Sequence, residues 1–484
     1  MDWKVISGGM GVGVSTHSLA NLVSKTGGLG TLSGVAADRW LARMLQHGDP
    51  DGRIRNALSN FPFRETAKRI LDSFFVEGGV TNGFEHKTLP VFTFRTPKIL
   101  IDLTVCANFV LVFLAKEAIA APVNMNYLEK IQMPHVYSFT GAMLAGVDYI
   151  TMGAGIPLQV PAILDNLSEG KAATYRISVD GKKETAPLTF DPAKHFGEEL
   201  PKLKRPGFFP IISSNLLADL FINKASGSIE GFIVELPTAG GHNAAPRGKY
   251  PLNKKGEPIY GIKDEIAFNK IVQLNKPFWI GGSYASPEGI KMAQGLGARG
   301  IQAGSIFALS EESGIQKVYK DQIRKLAFNN QLEIKTDLIA SPTGFPFKVV
   351  QLPGTVSRAE VYDSRPRICN HGYLTTPYER SDGGIGFRCA SEKEDQYVRK
   401  GGKIEDSEGR RCLCNGLIAA SEITNPGEPP ILTLGDDTGF LKHLMKHEDD
   451  SYSAADAMRY LLSAPPGKHL NDYLNNAGNK THTL

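Results

Sequence analysis

Eight short apolar segments, most of them separated by helical spacing, constrain this chain more than any other feature. They lie at Val5-Ile6, Leu29 to Ser33, Pro122 to Asn126, Tyr149 to Met152, Phe209 to Ile212, Gly231 to Glu235, Phe278 to Ile280 and Ile301 to Ala303. Helical patterns fill the intervals, over Thr16 to Lys25, Ser138 to Ala145, Asn215 to Lys224, Ala267 to Leu274 and Pro287 to Gly295. Parallel neighbours require a crossover between them, so strands that alternate with helices argue for a parallel sheet. Eight such strands are the count of a closed barrel. The expected fold class is α/β: a TIM (β/α)8 barrel over residues 1–350 with a β-hairpin/helical insertion and an appended C-terminal region.

Two connections exceed the simple unit. The one at about 35–121 is expected to carry several helices, one of them near Arg64 to Phe75. The one at about 161–205 contains Asp180-Gly181 between alternating residues, a hairpin signal. It reads either as a lid beside the barrel mouth or as a surface decoration. After about Lys348 the periodicity weakens, and residues 351–484 read as a cysteine-containing region packed on the barrel. A helix is expected from Ala454 to Leu462, stopped by Pro465-Pro466.

Charge excludes some functions. Lys and Arg number 54 against 50 Asp and Glu, scattered along the chain, so nothing points to nucleic acid. The longest apolar run, Ile99 to Leu114, is interrupted by Asp102, Thr104 and Asn108 and is shorter than the ~20 residues a bilayer requires. It reads as a buried helix, with no membrane partner. Met1-Asp2-Trp3-Lys4 lacks the layout of a signal peptide, and five cysteines do not make a disulfide scaffold. The expectation is a cytoplasmic protein, with homo-oligomerisation left open.

A barrel places chemistry at the C-terminal ends of its strands and frequently builds a phosphate site from the loops after strands seven and eight. Gly281-Gly282-Ser283 and Gly304-Ser305 end those strands here, preceded by Gln302-Ala303. Glycine lets backbone approach a ligand and present N–H groups to an anion. Two ordinary strand ends with turn glycines would look the same. At the first strand, Gly9, Met10 and Gly11 sit on the same face, and Ser15 or Thr16 is placed to cap the helix that follows. The strand at Gly231 to Glu235 leads into Leu236-Pro237-Thr238-Ala239-Gly240-Gly241-His242. A histidine on a glycine-flanked loop at that end is placed to reach substrate, and its ordinary pKa suits proton abstraction.

These motifs taken in order resemble the nitronate monooxygenase (2-nitropropane dioxygenase-like) family of FMN-dependent TIM barrels, whose superfamily includes FMN-type enoyl reductases. The matching pieces are Gly9-Met10-Gly11, Gly27-Gly28-Leu29-Gly30, Val123-Asn124, Met152-Gly153-Ala154-Gly155-Ile156-Pro157, Ala239-Gly240-Gly241-His242, Gly281-Gly282, Gln302-Ala303-Gly304-Ser305 and Glu311-Glu312-Ser313, spanning about residues 1–320. The resemblance implies that Gly9, Met10 and Gly11 line the flavin ring and that Asn124 contacts it. Gly240 and Gly241 would approach it and bring catalytic His242 to its reactive face. Gly281, Gly282, Ser283, Ala303, Gly304 and Ser305 would hold the FMN phosphate. Thr238 stands where the family commonly has a carboxylate, Ala244 where it has glycine, and Ser283 and Ser305 replace an apolar residue and threonine.

The activity so implied is a flavoprotein monooxygenase that oxidises small alkyl nitronates with O₂ to a carbonyl compound and nitrite. Two alternatives stand beside it: an NAD(P)H-dependent enoyl-thioester or quinone reductase, and a flavin-binding subunit that docks a larger synthase through its C-terminal region. Cys369, Cys389, Cys412 and Cys414 add a further question. Four soft ligands suit a structural zinc, and buried free thiols are the other reading.

Overall fold

The computed structural model describes residues 1–81, 86–423 and 427–463; the expected stop at Pro465-Pro466 lies outside these. Eight parallel strands form one sheet: β1 (Val5–Ser7), β2 (Gly30–Ser33), β3 (Val123–Leu128), β4 (Tyr149–Gly153), β5 (Gly207–Ile212), β6 (Phe232–Glu235), β7 (Phe278–Gly281) and β8 (Gly300–Ala303). Each pairs with its sequence neighbour, β8 pairs with β1, and an Ile6–Leu29 bridge closes β1 on β2. The chain therefore folds as a TIM barrel, with all eight strands at the segments read from sequence.

The pleat turns alternate residues inward, stacked in levels along the barrel axis. The lowest is apolar: Ile6, Leu29, Phe209, Ile233 and Trp279 form a core separate from the one outside the strands, with Trp3 and Tyr149 against it. On β2, β3 and β4 the level just below the mouth is polar: Asn124 donates to Thr31 and exchanges hydrogen bonds with Thr151 at 2.8–3.1 Å. The top layer, two residues further along each strand, holds Asn126, Gly153, Ile211, Glu235, Gly281 and Gln302.

The first helix, His17–Lys25, is capped by Thr16, whose Oγ1 accepts from the Leu19 N–H. The long first insertion carries helices Ala37–Gln46, Arg53–Ser59 and Arg64–Phe74 ahead of Lys98–Ala115. That last helix is apolar enough to cross a membrane by length, but most of it is buried inside the protein, as its interrupting Asp102, Thr104 and Asn108 suggested.

The second insertion forms a hairpin of Ala173–Ile177 and Ala186–Phe190. Its turn is longer than the Asp180-Gly181 signal implied. Asp180 instead pairs with the C-terminal region: its N–H donates to Pro377, its carbonyl accepts from Glu379, and its carboxylate meets Arg388. The hairpin lines neither of the mouth cavities described below, and the loop between its strands is docked through Asp180 on the tail hairpin Thr376–Glu379/Ile385–Arg388.

The C-terminal region shares the barrel's outer core through Leu413, Ile418, Ile431, Leu432, Leu434 and Met458. Helix Ala454–Leu461 packs on the first barrel helix, and Tyr452 donates to the Ile306 carbonyl at 2.7 Å.

Candidate active site

Two adjoining cavities open at the C-terminal ends of the strands, with about 1160 and 880 Å³ of empty space. They share Gly9, Gly11, Asn126, Ile211, Glu235, Gly240 and Gly241 as walls. The first runs to the loops after β7 and β8. Of the residues expected to hold a cofactor, Gly9, Met10, Gly11, Gly240, Gly241, Gly281, Gly282, Ser283, Ala303, Gly304 and Ser305 line it.

Asn124 does not. It sits one layer below the mouth with its amide engaged by Thr31 and Thr151, and Asn126 lines both cavities in its place. The correction follows from the two-residue period of a strand. Gly9 must be glycine for the same neighbour: a Cβ there would fall 2.0 Å from that of Asn126.

The backbone at β7 is built for close approach. Gly282 has φ 112° and a Cβ on it would meet Thr238 Oγ1 at 2.8 Å, while Ser283 holds φ 58° without being glycine. A left-handed serine costs about 1 kcal/mol and persists where the surroundings over-determine it. The N–H groups of Gly282, Ser283, Gly304 and Ser305 have no acceptor among the described residues.

Gln302 Nε2 and Asn126 Oδ1 are buried at the same mouth without partners. Buried polar atoms are paired in the great majority of cases, so these fit the polar edge of a bound ligand. On these observations the residues present fit FMN: free N–H groups for its phosphate, an unpaired amide N–H (Gln302 Nε2) and an unpaired amide oxygen (Asn126 Oδ1) for its ring edge, and glycine walls for its faces.

His242 lines the second cavity only. Its ring lies edge-on to Phe347 with centroids 4.9 Å apart, and Nε2 is 2.7 Å from Ser341 Oγ, which in turn bonds Thr343 Oγ1. Burial lowers its pKa to about 4, so the imidazole is neutral at physiological pH. The other walls of this cavity are largely apolar, among them Val12, Val35, Leu128, Ile131, Leu374 and Leu413. No lysine or arginine lines either cavity among the described residues.

The C-terminal region supplies a wall that sequence reading did not anticipate. Segment 431–435 and Asp437 line the first cavity, Tyr373, Leu374, Leu413 and Cys414 line the second, and Leu417 and Thr433 line both. Three hydrogen bonds stitch it to the glycine loops. Gly241 N–H donates to Thr433 Oγ1 at 2.7 Å, Gly435 N–H to Ser305 Oγ at 2.9 Å, and Asp436 N–H to the Thr238 carbonyl at 3.0 Å. The only sequence signal was the apolar run Ile431-Leu432-Thr433-Leu434 ahead of Gly435.

The zinc expectation is corrected. Among the described residues no group of three or more His, Cys, Asp or Glu is placed to hold a metal ion. Cys369 and Cys389 instead hydrogen-bond each other, lowering the first thiol's pKa and raising the second's. Burial pushes Cys412 and Cys414 up, as befits protonated thiols.

Strand order, closure and mouth thus define a TIM barrel with open cavities at the C-terminal ends of its strands. No family model matches the chain, and no curated protein matches it. Among solved structures it is similar to FabK from Thermotoga maritima, at 15% identity and TM-score 0.47 over 99% of this chain and 96% of that one. It is also similar to the nitroalkane oxidase from Streptomyces ansochromogenes, at 11% identity and TM-score 0.45 over 98% and 97%. A third is the enoyl reductase domain of MlnA from the Bacillus amyloliquefaciens macrolactin cluster, at 11% and 0.48 over 99% and 97%. At these identities and scores the likenesses carry no argument about activity, and the barrel is read from its own strand register.

Proposed function

We propose that this chain is an FMN-dependent oxidoreductase of the nitronate monooxygenase type, acting on a small molecule and O₂ at the barrel mouth. The observation that carries the reading is the coincidence of the unpaired Gln302 Nε2 and Asn126 Oδ1 with four free N–H groups on the loops after β7 and β8. Gly281, Gly282, Ser283, Ala303, Gly304 and Ser305 would hold the phosphate; Gly9, Met10, Gly11, Gly240 and Gly241 would flank the ring. Bound there, FMN would supply the electron transfer that converts a nitronate to a carbonyl compound and nitrite.

His242 acts from the second cavity. Neutral and oriented by Ser341, it takes a proton from a neutral nitroalkane or donates a hydrogen bond to a nitro oxygen. Replacing it with asparagine is expected to leave FMN bound while turnover of both nitroalkane and nitronate falls; unchanged turnover removes this role.

A second reading is favoured by the cavity's lack of cationic walls. An anion buried without a countercharge is costly, whereas a neutral enoyl thioester or quinone, reduced at the expense of NAD(P)H, suits apolar walls. Anaerobic mixing with NADH or NADPH separates the two: rapid bleaching of the flavin supports the reductase, and failure to bleach supports the nitronate reading. The docking-subunit reading is not favoured, because the C-terminal region walls both cavities.

A further inference from the structure

Glu235 is the one ionisable side chain in the top inward layer of the barrel. It closes β6 in register with Gly281, which has no side chain to fill the space between Glu235 and Gln302. It lines both cavities and therefore stands at the seam between them.

Glu235 is half-buried, and the carboxylates that are more deeply buried in this chain are given partners. Asp102 has Arg69, Lys98 and His195; Asp38 receives the Tyr373 hydroxyl at 2.7–2.8 Å; Asp49 receives Ile54 and Arg55 N–H groups. Glu235 has no hydrogen-bond or ion-pair partner among the described residues, and burial is the one cause acting on its ionisation. A half-buried carboxyl on cavity walls that bring it no countercharge is less favourable as an anion and well suited as a donor.

We propose that Glu235 is the hydrogen-bond donor of the site, a carboxylic acid whose O–H engages an acceptor atom of the ligand held at the seam. The identity of that ligand rests on the flavin reading; the protonation of Glu235 does not.

Burial raises its pKa to about 8, so the acid form predominates at neutral pH. The groups facing it bring no positive charge. His242 on the same loop is neutral, and Tyr260 in the following segment donates to the Ala244 carbonyl. Tyr284 beyond β7 and Asp437 of the C-terminal region line the first cavity; Asn126, Ile211 and Gln302 are uncharged. The mouth thus pairs an acceptor imidazole with a donor carboxyl, two groups whose surroundings drive their pKa values apart, the pattern of acid/base pairs.

The test uses the full chain and Glu235→Gln, which keeps the shape and an N–H donor. Infrared difference spectra between the two are expected to show a protonated-carboxyl band below about pH 8 that is absent above it. FMN affinity of the wild-type protein is expected to fall about tenfold per pH unit above that value, as one proton's linkage dictates. In Glu235→Gln the affinity stays flat with pH, and Glu235→Ala binds about tenfold more weakly at neutral pH.

A missing band, or the same pH dependence in wild type and Glu235→Gln, overturns the proposal. If no FMN binds at any pH, the flavin reading fails, and the infrared arm still decides the protonation of Glu235.

Discussion

The first cavity has two walls of opposite character. The glycine loops after β7 and β8 sit at the ends of barrel strands, where topology fixes their position. The facing segment, 431–435, comes from far along the chain and is held by hydrogen bonds to Gly241 on the loop after β6 and to Ser305 after β8. The first wall is built by the fold; the second is delivered to it. The difference teaches that a barrel mouth can be complete in its cofactor loops and still depend on a tail for enclosure.

Removing the delivered wall is the strongest way to break the comparison. A chain ending after residue 350 is expected to lose FMN, because Thr433 and Gly435 no longer meet Gly241 and Ser305 and the outer core loses Leu413, Ile418, Leu432 and Leu434. The flavin content of the purified truncation reads this directly. A truncated, folded, FMN-loaded and active core would show that the tail serves assembly instead.

Next in size is His242→Asn, expected to lower turnover about 10²- to 10⁴-fold with FMN retained. Its pH profile sharpens the same point. A histidine whose folded pKa is lowered to about 4 stays an available base down to that value, so activity should show no acid limb near the ordinary 6.5. The sign carries over to stability: His242 costs stability progressively as pH falls from the unfolded value toward the folded one. An acid limb near 6.5 that disappears in the variant would show that the ring is solvated.

Gly240→Val tests the contact between the walls. A Cβ at Gly240 would lie 2.7 Å from the Leu434 carbonyl carbon, so the segment must shift. Overpacking of this kind costs about 1–3 kcal/mol, or about 10- to 100-fold in FMN affinity if borne by binding. Equal affinity in fluorescence titration would mean the tail can yield freely. The smallest effect is that of Thr433→Ala, which removes the acceptor for the Gly241 N–H at 2.7 Å and should cost about 1 kcal/mol in denaturant unfolding.

The two walls also differ in how far sequence revealed them. The eight strands were legible because a short apolar run between helical patterns has few alternatives, and their ends located Gly9, Met10, Gly281, Gly304 and His242. Asn124 was misplaced by one layer, since a two-residue period selects the face but not the depth. Asp180-Gly181 looked local and turned out to serve a partner near residue 378. Thr433 and Gly435 were illegible because a short apolar run far along the chain acquires its meaning only from what it touches. The cysteines carried ligand chemistry in their side chains but not in their placement. Gln302 and Glu235 were visible as letters; the unpaired Nε2 of the first and the raised pKa of the second are properties of the packed mouth.

The central claim is that the two walls enclose a flavin. The absorption spectrum of the purified full chain, repeated after reconstitution with FMN and desalting, tests it most directly. The account predicts flavin bands at about one FMN per chain. A protein that is folded by circular dichroism yet colourless after reconstitution would contradict it.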